Sequence, residues 1–146
     1  AISINKEQKV SLLKKAEKRL ITFDHLKVAV LGLTFKPGTD DLREAPSLEN
    51  VPRLIEMGAD IYAYDPVGIP NFKNRYPHDV TYTDNAEEAL TGANVCFIFT
   101  EWPEFKEISP GTFKKLMRTP LVYDGRNLFD KNAMKEAQVE YYSIGR

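Results

Sequence analysis

The chain has 146 residues, 42% of them hydrophobic, and 20 Lys and Arg against 21 Asp and Glu leave a net charge of −1. That length and apolar content suit one domain around one core, and the balanced charge excludes the global basic field behind non-specific nucleic-acid binding. The lone Cys96 excludes an internal disulfide and, with only His25 and His78 beside it, gives no metal-ligand spacing; no apolar run reaches the roughly 18 residues of a membrane span and no signal segment opens the chain, so the expectation is no metal, no membrane and a cytoplasmic setting.

Val10, Leu13, Ala16 and Leu20 recur at helical spacing with Lys14, Lys15, Lys18 and Arg19 turned away, and Asn5 with Gln8 forms a capping-box-like start. Val28 to Leu31 is a continuous apolar run, the pattern of a strand covered on both faces. Gly32 ends it, and Pro37 and Gly38 make the segment up to Ser47 a shaped loop. Ser47 is the expected N-cap of a helix closing at Met57-Gly58, with Pro52 lodged inside it. A strand at Asp60 to Tyr64 follows, then a loop rich in Pro, Asn and Lys as far as His78, and a short strand at Val80 to Tyr82. Asp84 or Asn85 caps a short helix whose first turn carries Glu87 and Glu88. Val95 to Phe99 is a second core strand, Ser109-Pro110 opens a helix ending near Met117, and Leu121 to Asp124 is a third buried strand. Asp130 caps the last helix, and Glu140 to Ser143 forms a final edge strand. Strand and helix alternate, which predicts an α/β fold: a Rossmann-like open parallel sheet with helices on both faces, preceded by an N-terminal helix.

In such a sheet ligands bind beyond the carboxyl ends of the strands, where the loop after Leu31 lies. Lys36 offers a compact charge with three donors, suited to a phosphate or to carbonyl acceptors of a base, and Arg43 adds a planar fork seven residues on. Arg126, after a strand and Gly125, converges on the same crevice. The loop is not a dinucleotide turn, because Gly32 is followed by Leu33-Thr34-Phe35 rather than by the glycines of G-x-G-x-x-G, and Asp65 lies too far on to be the usual ribose acid. Nor is it a P-loop, since Thr39-Asp40 follows Gly38. Cys96 lies mid-strand with no activating histidine, so it is core rather than nucleophile, and no catalytic residue is assigned.

The run from Gly32 through Leu33-Thr34-Phe35-Lys36-Pro37-Gly38-Thr39-Asp40-Asp41-Leu42-Arg43 to Ser47 resembles the signature of the nucleotide-sugar 6-dehydrogenases, and in particular the C-terminal, UDP-binding domain of the UDP-glucose 6-dehydrogenases. The resemblance continues through Ala63-Tyr64-Asp65-Pro66, Thr100-Glu101-Trp102-Pro103-Glu104-Phe105, Asp124-Gly125-Arg126-Asn127 and Tyr142-Ser143-Ile144-Gly145-Arg146. It implies an enzyme that oxidises the sugar C6 alcohol to a carboxylate with two NAD and a cysteine thioester. The NAD-binding and thiol-bearing parts belong to an N-terminal domain for which this sequence has no motif, so the chain by itself is expected to be inactive. Residues 1–25 correspond to the end of an interdomain helix that packs a homodimer, and residues 26–146 to the UDP-sugar-binding domain. Carried over, Phe35, Lys36 and Arg126 are substrate contacts and Arg43 reaches the NAD held by the other domain.

Each assignment has a plainer competitor: a solvated lysine for Lys36, a core ring for Phe35, a surface ion pair for Arg126, and for Arg43 a pair within the loop to Asp40, Asp41 or Glu44. Trp102 and Asn127 stay open. Competing functions are the corresponding domain of a GDP-mannose or UDP-N-acetylmannosamine dehydrogenase, a receiver-like signalling module with clustered acids, and a structural interaction domain built on the basic opening helix.

Overall fold

The computed structural model describes residues 9–144 of the chain. Six strands pair in parallel: β1 (Lys27–Leu31), β2 (Asp60–Tyr64), β3 (Val80–Tyr82), β4 (Val95–Ile98), β5 (Leu121–Asp124) and β6 (Glu140–Ser143), in the order β3-β2-β1-β4-β5-β6. Val28 of the central β1 faces Ile61 of β2 on one side and Val95 of β4 on the other. Winding reverses between β1 and β4, so the ligand crevice of such a sheet opens at the carboxyl ends of those two strands. This is the Rossmann-like parallel sheet that the alternation of elements predicts.

Because successive strand side chains point to opposite faces, the apolar runs build two cores. Val28, Val30, Ile61, Ala63, Val95, Phe97, Leu121 and Tyr123 line one. Helices α1 (Ser11–Arg19), α2 (Pro46–Glu56) and α3 (Ile69–Arg75) cover it through Leu12, Leu13, Ala16, Val51, Leu54 and Phe72. Ala29, Leu31, Cys96, Ile98 and Val122 line the other. There α4 (Ala86–Leu90), α5 (Pro103–Lys106), α6 (Pro110–Leu116) and α7 (Lys131–Glu136) contribute Ala89, Leu90, Phe105, Phe113 and Met134. Both faces are therefore sealed, and the rims where strands end are left for chemistry.

Asn85 and Asp130 cap α4 and α7 as expected, accepting from the amides of Glu88 (2.8 Å) and Ala133 (2.9 Å). Ser47 does not cap α2. The N-cap is Ala45, with Pro46 in the first turn where its missing N–H costs nothing, and the buried Ser47 hydroxyl instead donates to the Leu33 carbonyl at 2.7 Å. The stretch before His78 is not all loop: α3 forms there because Phe72 is fully buried, its ring 5.2 Å from that of Tyr76, and that anchor outweighs the weak local propensity. The four-residue α5 also goes beyond the sequence pattern. The Asn5 and Gln8 start lies outside the described residues.

Candidate functional site

Strand β1 leaves the sheet at Gly32, whose φ of 97° favours glycine, and a Cβ there would lie 2.6 Å from the Thr100 backbone nitrogen and side chain. The loop thus lies directly on the exit of β4. Its next residues are pinned from three neighbouring segments. The Leu33 amide donates to the Asp65 carboxylate at 2.7 Å and the Thr34 amide at 3.3 Å, while the Thr34 carbonyl accepts from the Thr100 hydroxyl at 2.5 Å. Asp65, 2% exposed, also accepts from the Trp102 indole N–H at 3.0 Å and from the amides of Val67 and Gly68. Trp102 is accordingly bound into the strand-end cluster.

The rim beyond β5 is built the same way. Buried Asp124 accepts from the amides of Arg126 (2.8 Å) and Leu128 (2.6 Å) and from the Tyr141 hydroxyl, shaping the turn. Asn127, at φ 55°, exchanges two hydrogen bonds with the backbone of Ile144. Arg126 then reaches back across the sheet: Nε donates to the Phe99 carbonyl at 3.1 Å and Nη2 to the Phe35 carbonyl at 2.8 Å, with the guanidinium 6.0 Å from the Phe35 ring centre. Phe35 and Arg126 therefore meet over the ends of β1, β4 and β5, with Lys36 the next residue of the same loop. Phe35 is half-buried rather than sealed in the core, and Arg126 grips main-chain carbonyls rather than a surface acid. Lys36 is exposed and its ammonium enters no hydrogen bond or ion pair among the described residues. A guanidinium with spare donors beside an aromatic face suits an anion attached to a planar ring.

Arg43 lies on another flank. Its side chain is 88% exposed and pairs with Asp41 at 2.8 Å, the within-loop arrangement. The side-chain hydrogen bond from Arg43, with its amide bond in support, holds the Asp41 carboxyl down at about 2. An open cleft of about 640 Å³ separates this segment from α3, with Arg43 and Arg75 on its walls. Cys96 is fully buried in β4, and burial pushes its thiol well above the ordinary range, so it is core as expected. Burial, then the hydrogen bond to Glu104, raises the Tyr64 hydroxyl to about 12 and keeps it neutral. Among the described residues no group of three or more His, Cys, Asp and Glu is placed to hold a metal ion, and no helix is long and apolar enough to cross a membrane.

The residues that sequence reasoning passed over are Asp65, Thr34, Thr100 and Asp124, all buried polar side chains at strand ends. An acid closing an apolar strand before proline or glycine, as in Asp65-Pro66 and Asp124-Gly125, is the available signal. After β1 no helix begins until Pro46, so the strand does not run straight into a helix N-terminus.

Residues 29–131 match the UDP-glucose/GDP-mannose dehydrogenase family, UDP binding domain. The chain belongs to that family. UDP-glucose 6-dehydrogenase YwqF of Bacillus subtilis (strain 168) is 41% identical over 145 residues, covering 99% of this chain and 33% of that protein. A UDP-glucose dehydrogenase structure from Pyrobaculum islandicum superposes with a TM-score of 0.79 at 30% identity, over 94% of this chain and 29% of its own. A UDP-D-ManNAc dehydrogenase from Pyrococcus horikoshii gives 0.75 at 31% identity, over 97% and 31%. The chain spans about a third of the length of the curated relatives it matches. Membership of the dehydrogenase family disposes of the receiver alternative on geometry too. A receiver sheet runs 2-1-3-4-5, whereas here the order is β3-β2-β1-β4-β5-β6 and the Asp65 carboxylate is taken up by backbone amides and an indole.

Proposed function

We propose that this chain is the nucleotide-sugar-binding part of an NAD-dependent UDP-glucose 6-dehydrogenase. The observation that carries the reading is the Arg126 grip on the Phe35 carbonyl, which sets a guanidinium with spare donors beside an aromatic ring at the strand-end crevice, with Lys36 the next residue of that loop. Lys36 and the remaining N–H groups of Arg126 take the diphosphate or the uracil carbonyls, and the Phe35 ring lies against the nucleoside. NAD would supply the oxidising power. Among the described residues no glycine turn leads β1 into a helix to cradle it, so it is held mainly by an N-terminal domain, to which Arg43 contributes a phosphate contact once it leaves Asp41. Residues 1–25 belong to the helix that joins the two domains and packs a homodimer.

The deciding experiment is calorimetry of the chain with UDP and UDP-glucose. Binding is expected, lost on Lys36→Ala; no heat with the unsubstituted chain, or a Lys36→Ala chain that binds equally, refutes the reading. Mixed with UDP-glucose and NAD, the chain is expected to form no NADH. The similarity to the Pyrococcus horikoshii UDP-D-ManNAc dehydrogenase makes N-acetylmannosamine the second sugar to test, and a panel with GDP-mannose separates the three.

A further inference from the structure

The fixed points of the Phe35-Lys36 loop lead back to one carboxylate. Asp65 stands at the end of β2, yet its two oxygens receive the amides of Leu33 (2.7 Å), Thr34 (3.3 Å), Val67 (2.9 Å) and Gly68 (2.7 Å) and the Trp102 indole N–H (3.0 Å). Among the described residues it has no ion pair, so these N–H donors, with the Thr34 hydroxyl at 3.4 Å, compensate its charge. A carboxylate accepts at both oxygens, whereas an amide of the same shape would turn an NH₂ toward donors on one side or the other. From this knot the constraint passes along the main chain. The Thr34 hydroxyl donates to the Lys36 carbonyl at 3.1 Å, the Phe35 amide donates to the Asp41 carbonyl at 3.2 Å, and Arg126 closes the Phe35 carbonyl. A backbone rotation at Leu33 or Thr34 would swing the Phe35 and Lys36 side chains by several ångströms, and each of these bonds opposes it.

We propose that Asp65 and Trp102 are positioning residues for the nucleotide-sugar: with Thr34 they lock the loop backbone so that Phe35 and Lys36 are presented in one orientation. This rests on the nucleotide-sugar reading of the site. Preorganisation of this kind raises affinity by removing the ordering cost at the moment of binding. The action is through the main chain, which gives it a signature distinct from general loss of stability.

The test is UDP calorimetry on the full 146-residue chain, with a thermal melt of every variant. Trp102→Phe keeps a ring and removes the donor; Thr34→Val removes the hydroxyl at constant size; Thr34→Ser restores it. Trp102→Phe and Thr34→Val are expected to weaken UDP binding about tenfold, equivalent to about 1.4 kcal/mol, at temperatures where both remain folded, and Thr34→Ser to bind as the parent does. Asp65→Asn is expected to lose more; should it fail to fold, Trp102→Phe and the two Thr34 variants decide the matter. A lowered melting temperature with unchanged UDP affinity of the folded protein overturns the inference, as does a Thr34→Ser chain as weak as Thr34→Val. If the unsubstituted chain gives no heat with UDP, the functional reading falls and this inference with it, an outcome distinct from variants that bind like their parent.

Discussion

Arg126→Lys keeps a positive charge at the site but removes the fork, and two carbonyls depend on that fork. Nε and Nη2 reach Phe99 and Phe35, residues on different strand ends, at 3.1 and 2.8 Å. An ammonium has no two rigidly spaced donors to replace them. Phe99 is 3% exposed, so its carbonyl has little access to water once abandoned; leaving a buried acceptor unpaired costs about 1–3 kcal/mol. At about 2–4 °C per kcal/mol for a chain of this size, melting without ligand should fall by roughly 4–8 °C for a loss near 2 kcal/mol. Losing a charge-assisted contact to the diphosphate, about 1.5–3 kcal/mol, should weaken UDP by roughly 10- to 150-fold. Differential scanning fluorimetry without UDP reads the first effect and calorimetry the second. A lysine variant that melts with its parent would show that the carbonyl grip contributes nothing, and one that also binds UDP normally would remove Arg126 from the site.

Gly32→Ala places a Cβ 2.6 Å from Thr100 at a φ of 97° and should lose at least about 3 kcal/mol in urea unfolding, whereas Gly38→Ala, at φ 84° with nothing within 4 Å, should lose only about 1–2; equal losses would contradict the packing of the loop on β4. Cys96 should resist a thiol reagent in the native chain at pH 8 and react on unfolding, since burial both shields the thiol and raises its pKa; native labelling would deny the closed core. Asp41 should titrate by carboxyl NMR near about 2 and return toward 3.8 in Arg43→Ala. Because its folded pKa is depressed, the pairing is in full effect above the ordinary carboxylate value and is lost as pH falls through about 2.

Periodicity carried the fold a long way because the central strands are covered on both faces: Val28 to Leu31 and Val95 to Ile98 are apolar and buried at every position, while the edge strands β3 and β6 keep exposed residues. Local chemistry misled at Ser47, where a good capping residue stands one place after a better first-turn proline and serves a carbonyl 14 residues away. It misled again before His78, where α3 owes its existence to the burial of Phe72 rather than to the helix propensity of its other residues. That Lys36 and Arg126 follow strand ends was legible because glycines mark the exits of β1 and β5. Asp65 was not, because its partners Leu33 and Trp102 lie 32 and 37 residues away and only topology brings them together.

Helix α1 shares its core with the sheet. Leu12 and Leu13 of the helix and Phe23 just after it are each at most 3% exposed, and their burial, at about 2 kcal/mol apiece, is comparable in size to the net stability of many whole domains. Arg19 extends the attachment to the far rim by gripping Glu140 of β6 at 2.8 Å. A division of the polypeptide ahead of β1 is thus one of sequence and not of mechanics. A cut ahead of β1 would therefore strip Leu12 and Leu13 from the sheet and bare the apolar surface they cover.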